Sequence, residues 1–280
     1  MSKSLASAGI KLSILTLGSR LLGLVREMTK ATFLGTSGLA DAFGVAFMIP
    51  NLFLRLFVEN SISVAFIPTF KKYLEENPED KQSTKDFINA TFTLVTFLTT
   101  IVVTIGIIFS PWIVKIFSNG ESSEILVEMS VLTRIMFPYL LVISIAALFQ
   151  GILNGLKIFS PSGFTPILFN LCVIIGTYLL SPYTKNPARA MSYGVLVGGM
   201  IQAGFQLPFV IKNGWGVKFT SLKKTFTNPG TKQVLKLIAP TIMGMAAYQL
   251  NDLVSMAVAG NAGSGIQSSL QYSLRLQELI

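Results

Sequence analysis

The chain has 280 residues, of which 51% are apolar and 12% charged, and its mean hydropathy is +0.62. A soluble domain is typically about 25% charged, so the composition excludes a soluble enzyme and marks an integral membrane protein. The net charge is +9, with no histidine and one cysteine, which leaves no Cys/His metal site, disulfide framework or histidine relay.

Spans of about 20 residues with short loops leave room for seven or eight helices. The apolar runs predict Leu12–Leu34, Asp41–Ile67, Phe87–Phe109, Ile125–Phe149, Ser162–Leu180, Ala188–Ile211, Val234–Ala259 and an eighth from near Ile266. All are expected to be helical, since a lone strand cannot satisfy its backbone in lipid and no barrel alternation is present. The N-terminus does not read as a cleavable signal: Met1–Ser7 is short and polar, and Arg20 interrupts the apolar run. Gly35-Thr36-Ser37-Gly38 predicts a tight first turn, and Asn77-Pro78-Glu79-Asp80 a polar loop. Pro50, Pro138, Pro166, Pro208 and Pro240 fall inside or at the ends of spans, where each removes a helix hydrogen bond.

Trp215–Gly230 is too polar to span. It reads either as a basic linker or as an amphipathic segment on the inner leaflet. Leu54-Arg55-Leu56 recurs as Leu274-Arg275-Leu276, a weak echo of the kind left by repeated transporter halves. The expected organisation is a six-helix lobe over 1–213, a basic cytoplasmic linker over 214–231, and the first helices of a second lobe over 232–280. With a cytoplasmic N-terminus, 13 lysines fall on the inner side and 3 basic residues (Lys115, Lys185, Arg189) on the outer, which sets the orientation. The basic residues lie between or inside spans and form no soluble face for nucleic acid.

Several spans carry charges that each cost roughly 2.5–3.5 kcal/mol at mid-membrane. They are Arg20, Arg26, Glu27 and Lys30 in the first, Asp41, Arg55 and Glu59 in the second, and Arg134 in the fourth. On a helical wheel the first four share one wedge, and Asp41, Arg55 and Glu59 share one face. Antiparallel spans bring Arg20 and Arg26 to about the depth of Arg55. Three guanidiniums at one depth suit a phosphate or diphosphate, which Arg grips with a planar two-pronged fork. The same arginines also suit interhelical ion pairs with Glu27, Asp41 and Glu59, and the two uses are compatible in different conformations. Arg134 reads as a snorkelling or singly paired charge. Asp252 is a candidate cation ligand or a polar packing contact. Enzyme motifs such as Gly-x-Ser-x-Gly, a Walker loop or His-Glu-x-x-His are absent, and no cofactor is expected.

Ser19-Arg20-Leu21-Leu22-Gly23-Leu24-Val25-Arg26-Glu27, Asp41-Ala42-Phe43, Val45-Ala46-Phe47, Ile49-Pro50-Asn51-Leu52 and Ala65-Phe66-Ile67-Pro68 closely resemble the MurJ (MviN) family. Phe137-Pro138-Tyr139-Leu140-Leu141, Gly151-Ile152-Leu153-Asn154 and Gln206-Leu207-Pro208 extend the resemblance over nearly the whole chain. It implies an all-α polytopic membrane bundle, a six-helix MATE-like lobe plus the start of a second, within the MOP exporter superfamily. The implied activity is flipping of lipid II, an undecaprenyl diphosphate sugar-peptide, across the bacterial inner membrane by alternating access. Membrane lipids and a coupling cation are the other implied partners. Carried over by position, the substrate-binding residues are Arg20, Arg26, Asp41, Arg55, Glu59 and Arg275. Leu54 and Leu274 stand where members often have an arginine and an acid. At 280 residues the chain is barely over half the family length, so a truncated form is expected. Export of another lipid-linked polysaccharide or of drugs by the same fold, or a non-transporting scaffold, are the alternatives.

Overall fold

The structure, a computed structural model, describes residues 2–55, 62–76, 80–117, 122–238, 240, 254–255, 257–259 and 265–277, with side chains between Leu12 and Leu274. Its described elements are α1 (Ser2–Leu34), α2 (Gly38–Phe53), a π-helical turn (Ile62–Phe66), α3 (Ile67–Glu76), α4 (Lys81–Phe117), α5 (Ser123–Gly155), α6 (Ser160–Leu180), α7 (Pro187–Lys212), α8 (Leu222–Thr227), α9 (229–238) and α10 (Ile266–Gln277). The helix ends follow local chemistry. Gly35 takes a positive φ of 60°, and the Ser37 hydroxyl caps the Ala40 amide at the start of α2. Ser122 caps α5, and Asn186 caps α7 with Pro187 following.

Four described helices are long and apolar enough to cross a membrane: Lys81–Phe117, Ser123–Gly155, Ser160–Tyr183 and Pro187–Lys212. They coincide with the expected third to sixth spans but begin or end several residues beyond the apolar runs. α1 has 33 residues, and its six charged side chains lower its hydropathy. The second expected span is not one regular helix. α2 gives way to π-type winding at 54–55 and again at Ile62–Phe66, so the break lies beyond Pro50 rather than at it. Most of the seventh span lies outside the described residues.

α6 and α7 pack most closely because glycines remove the side chains between them. A Cβ on Gly194 would lie 3.0 Å from Val173 Cα, and one on Gly176 3.0 Å from Gly194 Cα. α5 packs on α2, α4 and α7 and forms the centre of the bundle. At one end of the bundle Phe66, Phe70, Tyr73 and Phe87 stack, and Trp215 meets Phe70 edge-on with centroids 5.6 Å apart. The linker is therefore docked on α3 and α4. Its Lys218 and Thr220 amides donate to Asn89 Oδ1 and Thr93 Oγ1. Large apolar side chains on the outer faces of α4, α6 and α7, among them Ile105, Ile108, Tyr178, Leu179 and Met200, remain exposed, as a lipid-facing surface requires. The chain is an all-helical, multi-pass membrane protein.

Candidate functional site

A cavity of about 800 Å³ opens between α1, the end of α2, α5, α6 and α7. Arg20, Arg26 and Arg55 are its charged lining residues among those described. α1 supplies the first two. Arg55 follows directly on α2, where the helix widens.

Arg26 is held firmly. Its side chain is 12% exposed and pairs with Glu27 at 2.7 Å. Its second terminal nitrogen donates to Asn170 Oδ1 at 3.2 Å, and Asn170 is itself anchored by donating to the Ser19 carbonyl. The rings of Phe47 and Phe169 each lie 5.8 Å from the guanidinium carbon. This grip fixes the guanidinium at the cavity wall, with Glu27 as its ion-pair partner. Arg20 and Arg55 are exposed to the opening, and no acid is among the cavity's described lining residues.

Asp41 lies elsewhere. It is 1% exposed, and its carboxylate accepts from the Gly265 and Ser268 amides, the latter at 2.7 Å, and from the Ser268 hydroxyl. It caps α10 from another helix, where a negative charge meets the positive end of the helix dipole. Gly265 permits this approach: it has φ of 86°, and a Cβ there would lie 2.3 Å from the Thr36 carbonyl oxygen. Lys30 joins the same contact. Its ammonium donates to Gln271 Oε1 at 2.9 Å and sits 4.8 Å from the Tyr272 ring centre. The shared wedge of α1 thus turns Arg20 and Arg26 to the cavity and Lys30 to α10.

The backbone of Arg275 lies in α10, and its side chain is outside those described; Glu59 and Asp252 lie outside the described residues altogether. Arg134 is used structurally. Its Nε donates to the Ile107 carbonyl at 3.3 Å and to Ser110 Oγ at 2.9 Å. Pro111 stands four residues after Ile107 and cannot supply the usual amide, so Arg134 and the Ser110 hydroxyl, which donates to the same carbonyl at 3.0 Å, fill the gap. Sequence reasoning passed over Asn154, Ser162, Asn170, Gln202 and Gln206, all of which line the cavity. A signal was present: Gln202 and Gln206 are one turn apart in an otherwise apolar span.

Residues 30–280 match the family model for lipid II flippase MurJ. The chain belongs to the MurJ lipid II flippase family. A probable lipid II flippase MurJ from Treponema pallidum (strain Nichols) is 48% identical over 282 residues, across 99% of this chain and 52% of the relative. A solved structure described as lipid II flippase MurJ in an inward closed conformation matches with a TM-score of 0.79 at 29% identity, over 96% of this chain and 55% of that one. The Vibrio cholerae MATE transporter VcmN in its bent form matches at 0.70 with 9% identity, over 98% of this chain and 61% of that one, a likeness of fold alone. The chain spans about half the length of the curated MurJ relatives it matches.

Proposed function

We propose that this MurJ-family chain provides the N-terminal lobe of a flippase carrying lipid II, an undecaprenyl diphosphate sugar-peptide, from the inner to the outer leaflet of the bacterial cytoplasmic membrane. Residues 1–213 form the lobe, 214–231 the cytoplasmic linker, and 232–280 the opening of a second lobe, with the N-terminus in the cytoplasm. The observation that carries this reading is the convergence of Arg20, Arg26 and Arg55 on one cavity whose described lining includes no acid. Guanidiniums in a poorly screened cavity attract a diphosphate strongly, while the prenyl tail stays in lipid. An exporter of organic cations would need the opposite polarity, which makes drug export the weaker reading.

Alternating access has a physical basis in the α10 contact. The Asp41 and Lys30 bonds join the α1–α2 hairpin to α10, which belongs to the opening of the second lobe. Both bonds lie at the end of the hairpin that the positive-inside orientation assigns to the outer side. Holding them closes that side; rocking the second lobe away breaks them together. A coupling cation would bias that equilibrium.

The test is titration of the purified chain with a polyprenyl diphosphate. Arg20→Ala, Arg26→Ala or Arg55→Ala should each weaken binding by about tenfold or more, the scale of one lost charge-assisted bond. Lys at the same sites should recover only part, because a point charge lacks the fork. Unchanged affinity in all three alanine variants would make the arginines structural and sink the proposal.

A further inference from the structure

A second concavity lies beyond the α1–α6 contact, and its chemistry is the reverse of the cavity's. It holds about 530 Å³, within the roughly 300–1,000 Å³ typical of ligand pockets. Its walls are Ile14 and Leu15 of α1, Pro161 and Phe164 of α6, and Phe205 and Phe209 of α7. The three phenylalanines form a ladder, with ring centroids 5.5 Å apart at each step. Ser160 is the one polar residue in its described lining. The groove shares no lining residue with the cavity. Between the two, Leu12 and Leu15 pack over Gly163, where a Cβ would lie 3.2 and 3.1 Å from their side chains.

The groove is open and has a basic mouth. Ile14 is 65% exposed and Phe209 37%, and the linker turns away from them to dock on α3 and α4. The start of α6 and the end of α7 meet at the side that the lysine distribution assigns to the inner leaflet. Two exposed lysines flank that end: Lys157 directly precedes Ile158 in the wall, and Lys212 follows Phe209 by three residues. The first turn of α6 has no side-chain cap, so the positive end of its dipole adds to theirs.

Lys157 also occupies a position that favours glycine. At the end of α5 the Lys157 amide donates to the Asn154 carbonyl and the Ile158 amide to that of Leu153, which is the glycine-ended helix stop with Lys157 in the left-handed place. The same bonds end α7, from Gly214 to Ile211 and from Trp215 to Val210. There the left-handed residue is Gly214, with φ of 85°; at Lys157 φ is 63°. A lysine held in a conformation that suits glycine, at the mouth of an apolar groove, points to a use for its ammonium.

We infer that the groove binds an anionic phospholipid of the inner leaflet, with one acyl chain on the phenylalanine ladder and the head-group phosphate between Lys157 and Lys212. A lipid so held bridges α1 to the α6–α7 pair. The tail of a lipid diphosphate is the poorer occupant, because the packing of Leu12 and Leu15 on Gly163 separates this groove from the arginines. The inference does not rest on the diphosphate reading.

The test is native mass spectrometry of the purified chain with phosphatidylglycerol and phosphatidylcholine of identical acyl chains. Phosphatidylglycerol should bind about tenfold tighter or more, the scale of two lysines at an anionic head group. Lys157→Gly should weaken its binding about fivefold while the melting temperature without lipid stays level or rises, since glycine suits that backbone. Adding Lys212→Gln should bring the two lipids to equal affinity. Ile14→Trp, at an exposed position, should fill the groove and weaken both. Equal affinities in the native chain, a preference that survives both lysine changes, or unaltered binding in Ile14→Trp each overturns the site. A melting temperature that falls with Lys157→Gly would make that lysine structural and overturn it too. Displacement of phosphatidylglycerol by a polyprenyl diphosphate would assign the groove to the tail of that lipid instead.

Discussion

Arginines and acids within the helices of this chain have unrelated uses, and their partners decide which. Arg26 is packed between two rings and tied to Glu27 and Asn170, so it arrives at the cavity with little freedom left to lose. Arg134 repairs the backbone at Pro111. Arg134→Met should therefore lower thermal stability by about 1 kcal/mol, the scale of a lost hydrogen bond where the Ser110 hydroxyl still serves the carbonyl, and leave diphosphate affinity as it was. A change in affinity with no loss of stability would contradict that assignment. Asp41 caps α10, and Asp41→Ala should expose the first amides of that helix. Hydrogen–deuterium exchange over 265–270 should accelerate by about tenfold or more, with α5 unaffected. Exchange at the native rate would mean the cap does not hold α10. That the second span carried an isolated acid was legible in the sequence. Its partners 224 and 227 residues away were not, because they depend on how helices dock rather than on any local pattern.

Helices were the most legible feature. In lipid the backbone must bond within each segment, so apolar length alone marks α4 to α7. The interruption after α2 was less legible: Pro50 was visible, whereas the π winding at Ile62–Phe66, where Ile62 and Phe66 pack against Gly151 of α5, has no local signal. Contact between α6 and α7 rests on the bare backbone of Gly176 and Gly194. Gly194→Val should wedge the pair apart and lower stability by about 1–3 kcal/mol, read as a fall in melting temperature of the detergent-solubilised protein. An unchanged melting temperature would show that the pair has room to spare. The linker, legible only as basic and weakly amphipathic, owes its position to Trp215 packing on Phe70 and to the side chains of Asn89 and Thr93.

For the whole molecule, the distribution of lysines predicts that a reporter fused after Lys85 reads cytoplasmic and one after Asn119 reads external; the reverse pattern would place the α10 contact on the wrong side for the proposed cycle. The cavity as a whole was legible through its cations, which a lipid-facing helix would not carry. Its amide-bearing wall was not, because asparagine and glutamine in a membrane helix commonly serve packing. In the proposed function the arginines of α1 and of the stretch after α2 hold the diphosphate of a lipid-linked substrate. A crystal structure of the chain with a polyprenyl diphosphate bound tests it most directly. Both phosphates should lie within hydrogen-bonding reach, about 3 Å, of the Arg20, Arg26 and Arg55 guanidiniums; phosphates seated away from all three would contradict the account.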